Sequence, residues 1–169
     1  EVVSKGAVAL VVEKDVDVSN LVSSNGDKVV VVKVNDTRYA LAMTSAAYFG
    51  YPAEQLKTIG ITGTKGKSTT AGMIHQVFNR CNVPCGLIGT GGAYYADTVE
   101  RLRNTTPESV EVFRLLRNMI DNHVKVVVME VSSQGLKMAR VDGIIFDYAI
   151  FTNLGPDHIG EGEHADFEE

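Results

Sequence analysis

The sequence predicts an α/β fold, a mostly parallel sheet with flanking helices, and three observations support this prediction. Valine-rich runs recur at residues 7–12, 28–34 and 125–131. Helical patterns separate these runs, and strands that alternate with helices indicate βαβ units. The runs are nearly continuous in apolar character, which is typical of strands buried on both faces of a sheet.

Composition limits the classes of function that the chain can have. Its 169 residues leave room for one domain and part of another at ~100–200 residues per domain. A net charge of -5 and a pI of about 5.4 argue against a nucleic-acid partner. No apolar run approaches the ~20 residues of a membrane helix. The two cysteines, Cys81 and Cys85, are too few for a disulfide framework, which favours a reducing, cytoplasmic compartment. We also expect a monomer with no membrane partner.

The first part of the chain reads as a piece of a small α/β domain. The runs at 7–12 and 28–34 predict two strands, and the pattern over 36–49 predicts a helix with Asn35 or Asp36 as its N-cap. A Gly-Tyr-Pro break then follows, so we predict a domain boundary after residue 54. The chain begins without methionine and ends in an acidic stretch, from which we expect residues 1–54 and 55–169 to be two incomplete domains of a longer protein.

A glycine-rich turn opens the second part. A predicted strand over 57–62 leads into G-T-K-G-K-S-T, which leads into a predicted helix over 68–80. Glycines allow main-chain N–H groups to face a phosphate, the helix N-terminus attracts anions, Lys67 can reach a nucleotide phosphate, and Ser68 can bind Mg²⁺. The motif is a shortened P-loop, because Ile61 replaces the first glycine of the strict pattern. The expected nucleotide-binding residues are Gly63, Thr64, Lys65, Gly66, Lys67, Ser68 and Thr69.

Two further strands are predicted to deliver polar residues to the same edge of the sheet. Glu130 ends the apolar run at 125–131, where an acid is costly unless it pairs or binds a cation, so we expect a role at Mg²⁺. The alternative is an acid that caps the following helix, where Ser132 and Ser133 also suit an N-cap. His158, in F-T-N-L-G-P-D-H after a strand at 148–151, is a second candidate metal ligand, although a lone histidine is more often a simple surface residue.

The segment N-T-T-P at 104–107 precedes a predicted helix over 107–122. Thr106 is expected as its N-cap and Pro107 at its first position. The polar side chains could hold a phosphate or sugar of a substrate, or could serve only the helix start. Arg140 could bind an anion or complement a helix C-terminus.

Together, the motifs at 63–69, 104–107, 129–136 and 151–158 resemble the Mur ligases of peptidoglycan synthesis, most closely the branch that adds the third peptide residue. The resemblance covers residues 55–169, and residues 1–50 resemble the end of the uridine-binding domain more weakly. It implies a P-loop-type central ATPase domain that joins an amino acid, such as lysine or diaminopimelate, to a UDP-N-acetylmuramoyl peptide through an acyl phosphate. The implied cofactors are ATP and Mg²⁺.

The resemblance also assigns residue roles. It implies that Lys67, Glu130 and His158 are catalytic and that Asn153 contacts the nucleotide. The implied metal ligands are Ser68, Glu130 and His158. The implied substrate contacts are Asn104, Thr105, Thr106, Ser132 and Arg140. The family also uses a carbamylated lysine, which we expect beyond Glu169 because no lysine follows Lys137.

Three positions depart from the family's common pattern: Lys65, Gln134 and Met138. The last two lie where the family often has substrate contacts. These departures are compatible with a divergent member of the family.

Two alternatives stay open. One is a folylpolyglutamate synthase or other amide ligase of the same superfamily, against which the pair N-T-T-P and E-V-S-S argues, and the other is a non-catalytic nucleotide-binding module.

Overall fold

The computed structural model describes residues 2–19, 22–23, 26, 28–156 and 166. The chain divides into two compact units, residues 1–41 and 42–169. This division by contacts does not test the domain boundary predicted after residue 54, which stays a prediction. No helix in these described ranges combines the length and apolar character needed to cross a membrane.

The first unit contains a small parallel sheet. Strands β1 (Ala9–Val12) and β2 (Val30–Lys33) pair in register from Ala9 and Val30 onward. Helix α1 (Thr37–Tyr48) begins in this unit. The carboxylate of Asp36 accepts hydrogen bonds from the main-chain N–H groups of Arg38 and Tyr39 at 2.7 and 3.0 Å, which confirms Asp36 as the N-cap.

The second unit is built on a six-stranded sheet in the order β6-β5-β4-β7-β3-β8. Strands β4, β7, β3 and β8 run parallel to one another, whereas β5 pairs antiparallel with both β4 and β6, so the predicted α/β fold with a mostly parallel sheet is confirmed. The strands are β3 (Lys57–Thr62), β4 (Cys85–Gly89), β5 (Gly92–Tyr95), β6 (Thr98–Glu100), β7 (Val126–Glu130) and β8 (Tyr148–Phe151). The helices are α2 (Lys67–Arg80), α3 (Ser109–Asp121) and the short α4 (Ser133–Lys137).

Burial on both faces explains the apolar run at 125–131, but the same prediction is wrong for the runs at 7–12 and 28–34, because no residue of β1 or β2 in the two-stranded sheet is buried. All five residues of β7 are buried. Val127 belongs to a core cluster with Phe113 and Leu116 of α3, and Val128 belongs to a second cluster with Ala71 of α2. Because successive residues of a strand point to opposite faces, the central strand must be apolar at every position until its carboxyl end, where Glu130 stands.

The predicted start of the third helix is wrong. Helix α3 begins at Ser109, and the N-cap position is Glu108, which makes no side-chain cap hydrogen bond. Thr106 is fully buried, and its hydroxyl donates to the main-chain oxygen of Glu130 at 3.0 Å. The tertiary contact with β7 therefore replaces the local cap that the sequence suggested.

Candidate functional site

A polar cleft of about 510 Å³ lies at the carboxyl ends of β3 and β7. This is the edge at which parallel α/β sheets bind ligands. Most residues proposed from the sequence line this one cleft. The lining residues are Thr64, Lys65, Gly66, Lys67, Ser68, Thr69, Thr90, Asn104, Thr105, Thr106, Glu130, Ser132, Ser133, Gln134 and Arg140.

The loop between β3 and α2, residues 63–66, is shaped by its two glycines. Gly63 has φ +126° and Gly66 has φ +87°, values that other residues rarely adopt. The loop delivers the N-terminus of α2, with its unpaired N–H groups, to the cleft. The ammonium of Lys67 donates to the main-chain oxygens of Gly63 and Thr64. The loop thus brings a cation and a helix N-terminus together, which suits an anionic ligand.

The segment after β8, residues 152–155, holds this loop in place and is called here the clamp segment. The Asn153 side chain accepts from the Lys65 N–H and donates to the Lys65 carbonyl, both at 3.0 Å. The Thr152 hydroxyl also donates to the Lys65 carbonyl, at 2.7 Å. The N–H of Thr64 donates to the Asn153 carbonyl at 3.0 Å. A Cβ on Gly63 would lie 2.3 Å from the Thr152 hydroxyl, so glycine is required there by contact as well as by conformation.

Glu130 is a buried carboxylate on the floor of the cleft, with 2 % of its surface exposed. Its Oε2 accepts from the hydroxyl of Ser68 at 2.7 Å, and its Oε1 accepts from the main-chain N–H of Thr90 at 3.1 Å. A Cβ on Gly89 would lie 2.0 Å from Oε1, so the strand beside Glu130 leaves room for the carboxylate only because it carries glycine. These contacts aim one buried negative charge at the loop of residues 63–66, whose sequence predicts phosphate binding and which is called here the phosphate loop.

The N-T-T segment, residues 104–106, is joined to the end of β7 by side-chain hydrogen bonds. The Thr106 hydroxyl accepts from the Ser132 N–H at 2.9 Å, and the Ser132 hydroxyl caps α4 by accepting from the Gly135 N–H at 3.0 Å. Arg140 donates to the Thr106 carbonyl at 3.2 Å and pairs with Glu108 at 2.6 Å. Its Nε is buried and has no hydrogen-bond partner among the described atoms.

Ser68 and Glu130 form the donor set that could hold a metal ion. A hydroxyl and a carboxylate are hard oxygen ligands, which suits Mg²⁺. In the described ranges no three side chains of the types His, Cys, Asp and Glu come together as a metal cluster. A cation here would therefore draw further ligands from phosphate and water, as Mg²⁺ commonly does.

The sequence identified most of this arrangement. Gly63 and Asn153 are not among the lining residues. The Gly63 carbonyl accepts from the Lys67 ammonium, and the Asn153 side chain accepts from the Lys65 N–H. The predicted ligand His158 lies outside the described residues. Thr90 was missed, because the glycine-rich stretch around β4 gave no clear strand pattern that would bring its end to the cleft.

Comparisons with known proteins agree with these features. Residues 61–169 match the family model of the Mur ligase middle domain. The chain is 44 % identical over 94 % of its length to the UDP-N-acetylmuramoyl-L-alanyl-D-glutamate--2,6-diaminopimelate ligase of Clostridium perfringens, of which it covers 31 %. It is 43 % identical over 92 % of its length to the protein of that name from Bacillus licheniformis, of which it covers 30 %.

A solved structure with the same ligase name has the same fold, with a TM-score of 0.72 at 23 % identity. It aligns with 91 % of this chain and 30 % of its own chain. The chain therefore spans about a third of the length of the relatives it matches. Because the family model covers more than half of the sequence and includes all the motifs that line the cleft, the chain belongs to the Mur ligase middle-domain family.

Proposed function

We propose that this chain forms the nucleotide-binding part of a ligase that uses ATP to add an amino acid to a UDP-N-acetylmuramoyl peptide in peptidoglycan synthesis. The observation that carries the proposal is the convergence of Lys67, Glu130 and the N-T-T segment on one cleft. The names of the relatives favour diaminopimelate as the amino acid and the muramoyl dipeptide as the acceptor. A cytoplasmic location follows from this proposal, since nucleotide-linked precursors and ATP are cytoplasmic.

The proposed reaction has two steps. A carboxylate of the UDP-linked peptide attacks the γ-phosphorus of ATP, which forms an acyl phosphate and releases ADP. The amino group of the incoming amino acid then attacks the acyl carbon, and phosphate leaves from the tetrahedral intermediate. The first step brings two anions together. In the second step the attacking amine is neutral and gives up a proton, while negative charge develops on the tetrahedral intermediate. Both rates therefore depend on positive charge and N–H donors fixed in place beforehand.

The residues of the cleft suit these steps. The Lys67 ammonium and the N-terminus of α2 would bind the β- and γ-phosphates in exchange for the loop carbonyls that Lys67 now contacts. Ser68 and Glu130 would hold Mg²⁺, which when bound supplies charge neutralisation at the phosphates. Asn104 and Thr105 would contact the UDP-linked substrate, and Arg140, which also lines the cleft, would contribute positive charge toward an anionic group of it.

The test uses the full-length protein and measures phosphate release. We expect release to require ATP, Mg²⁺, the UDP-muramoyl dipeptide and diaminopimelate together. The matched variants Lys67→Ala and Lys67→Arg should both lose most turnover, because a guanidinium cannot occupy the ammonium position between Gly63 and Thr64. Turnover with folate and glutamate instead would establish a folylpolyglutamate synthase. ATP binding without turnover on any acceptor would establish a non-catalytic nucleotide-binding module.

A further inference from the structure

Thr90 lies directly after β4 and borders the cleft, outside every motif that the sequence singled out. Its main-chain N–H donates to Oε1 of Glu130 at 3.1 Å, and its hydroxyl donates to Oε2 at 3.2 Å. One residue therefore binds both oxygens of the buried carboxylate. Two donors from a single residue fix the plane of a carboxylate as well as its position, which a single hydrogen bond does not do.

The same hydroxyl also reaches the N-T-T segment. The Oγ1 atoms of Thr90 and Thr105 are 3.0 Å apart. If Thr105 donates to Thr90 and Thr90 donates to Glu130, a single arrangement of protons satisfies every contact. Ser68, Glu130, Thr90 and Thr105 then form one continuous hydrogen-bonded path, with steps of 2.7, 3.2 and 3.0 Å, from the phosphate loop to the N-T-T segment.

The turn that carries Thr90 is itself held in place. Gly89 and Gly92 pair across the β4–β5 hairpin, and the Tyr94 hydroxyl donates to the Gly91 carbonyl at 2.8 Å. The two donors of Thr90 are thus presented by a closed hairpin and not by a free loop. A donor that is fixed before a ligand arrives costs little reorganisation when the ligand binds.

We propose that Thr90 is a positioning residue that orients Glu130 and links it to Thr105, so that the cation side and the acceptor side of the cleft bind their ligands cooperatively. The inference rests on the proposed function, because it takes Glu130 as the ligand of Mg²⁺ and Thr105 as a contact of the UDP-linked substrate. Coupling between two sites is reciprocal, so each ligand should bind more tightly when the other is present.

The experiment measures equilibrium binding to the full-length protein, without turnover. One titration follows a non-hydrolysable ATP analogue as Mg²⁺ is added, and the other follows the UDP-muramoyl dipeptide with and without the Mg²⁺-bound analogue. Thr90→Val removes the hydroxyl and keeps the shape, Thr90→Ser keeps the hydroxyl, and Thr98→Val makes the same change in β6, away from the cleft. We expect Thr90→Val to raise the half-saturating Mg²⁺ concentration about tenfold and to abolish the tightening of dipeptide binding by the analogue. Thr90→Ser and Thr98→Val should stay within about twofold of the wild type.

Two outcomes would overturn the inference. If Thr90→Val keeps the wild-type response to Mg²⁺, Thr90 does not orient Glu130. If the Mg²⁺-bound analogue still tightens dipeptide binding in Thr90→Val as it does in the wild type, Thr90 does not link Glu130 to Thr105. Should Thr90→Val not fold, Thr90→Ala removes the same hydroxyl and decides the same question. A wild-type protein that binds neither ligand would instead refute the proposed function, which keeps the two failures distinct.

Discussion

Asn153 pairs its side-chain amide with both main-chain groups of Lys65, at 3.0 Å in each direction. The pair joins the clamp segment after β8 to the middle of the phosphate loop after β3, and these two strands are neighbours in the sheet. Asn153 was expected from the family resemblance to contact the nucleotide. Its amide is engaged by the loop main chain, so we interpret it as a residue that shapes the loop.

Asn153→Ala should therefore weaken nucleotide binding more than it weakens the fold. We expect about a tenfold loss of affinity for an ATP analogue, since two hydrogen bonds to the loop disappear, with a change in Tm of only a few degrees. Isothermal titration and thermal unfolding measure the two effects. The matched control, Asn122→Ala, removes an exposed amide that donates to the Asn118 carbonyl and should leave affinity unchanged. An unchanged affinity in Asn153→Ala would refute this role for the clamp segment.

Glu130→Gln should change the Mg²⁺ dependence of nucleotide binding without lowering the stability of the fold. Replacing a buried carboxylate by an amide of the same shape removes a desolvated charge, so we expect Tm to stay equal or to rise. The affinity for an ATP analogue should lose its dependence on Mg²⁺ at the same time. Glu54→Gln, a change at an exposed acid in the same unit, should alter neither property. A variant that keeps the full Mg²⁺ response would exclude Glu130 as the metal ligand.

Gly89→Ala should reproduce the binding defect by steric means. The added Cβ would lie 2.0 Å from the Glu130 carboxylate and must displace it, whereas the main chain at residue 89 needs no left-handed conformation. We expect the Mg²⁺ response to weaken and Tm to fall. Gly72→Ala is the control, because no atom lies within 4 Å of its added Cβ and alanine favours the interior of α2. Mg²⁺ titration of analogue binding and a melting curve are measured for both variants. If Gly89→Ala and Gly72→Ala behave alike, the Glu130 carboxylate does not lie against residue 89.

Asp147 should make folding sensitive to acid. The Lys57 ammonium at 2.7 Å, together with the Thr58 N–H at 2.8 Å, lowers the pKa of this carboxyl from 3.8 to about 2. The folded-state pKa lies below the unfolded-state value, so the stabilisation is fully present above about pH 4 and is lost as the pH falls through about 2. In Asp147→Asn, the urea concentration at the midpoint of unfolding should fall less than in the wild type as the pH is lowered from about 4 to about 2. Asp97→Asn, at the β5–β6 turn, removes the same charge and should keep the decline seen in the wild type.

Strands β3, β7 and β8 and helix α2 could be predicted closely from the sequence, since each has either a continuous apolar run or a motif that marks its start. Strand β4 and the β5–β6 hairpin could not. Their sequence, from Cys85 to Glu100, is rich in glycine and contains only short apolar runs. Glycine allows close packing here, since a Cβ on Gly86 would lie 2.7 Å from the sulfur of Met119. Local propensity does not contain that information.

The site shows the same division. Residues with a motif, such as Lys67 and Glu130, could be found because their chemistry is tied to a local pattern. For Thr106 the local sequence predicts a helix cap and the family resemblance predicts a substrate contact, and for Thr90 the sequence gives no signal. Neither pattern shows the contacts that both residues make with Glu130 of β7, which is distant in the sequence. Hydrogen bonds between distant segments follow from the packing of the sheet, which a single sequence does not reveal.

The ammonium of Lys67 already has two carbonyl acceptors in the phosphate loop. Any anion that enters must therefore outcompete neutral oxygens that are held in place, and a hydrogen bond to a charged acceptor is roughly twice as strong as one to a neutral acceptor. A weakly held monovalent ion such as chloride gains little by this exchange, whereas a polyphosphate, which also engages the N–H groups of α2, gains much more. We therefore expect the loop, whatever the rest of the ligand, to favour a polyphosphate over a small monovalent anion.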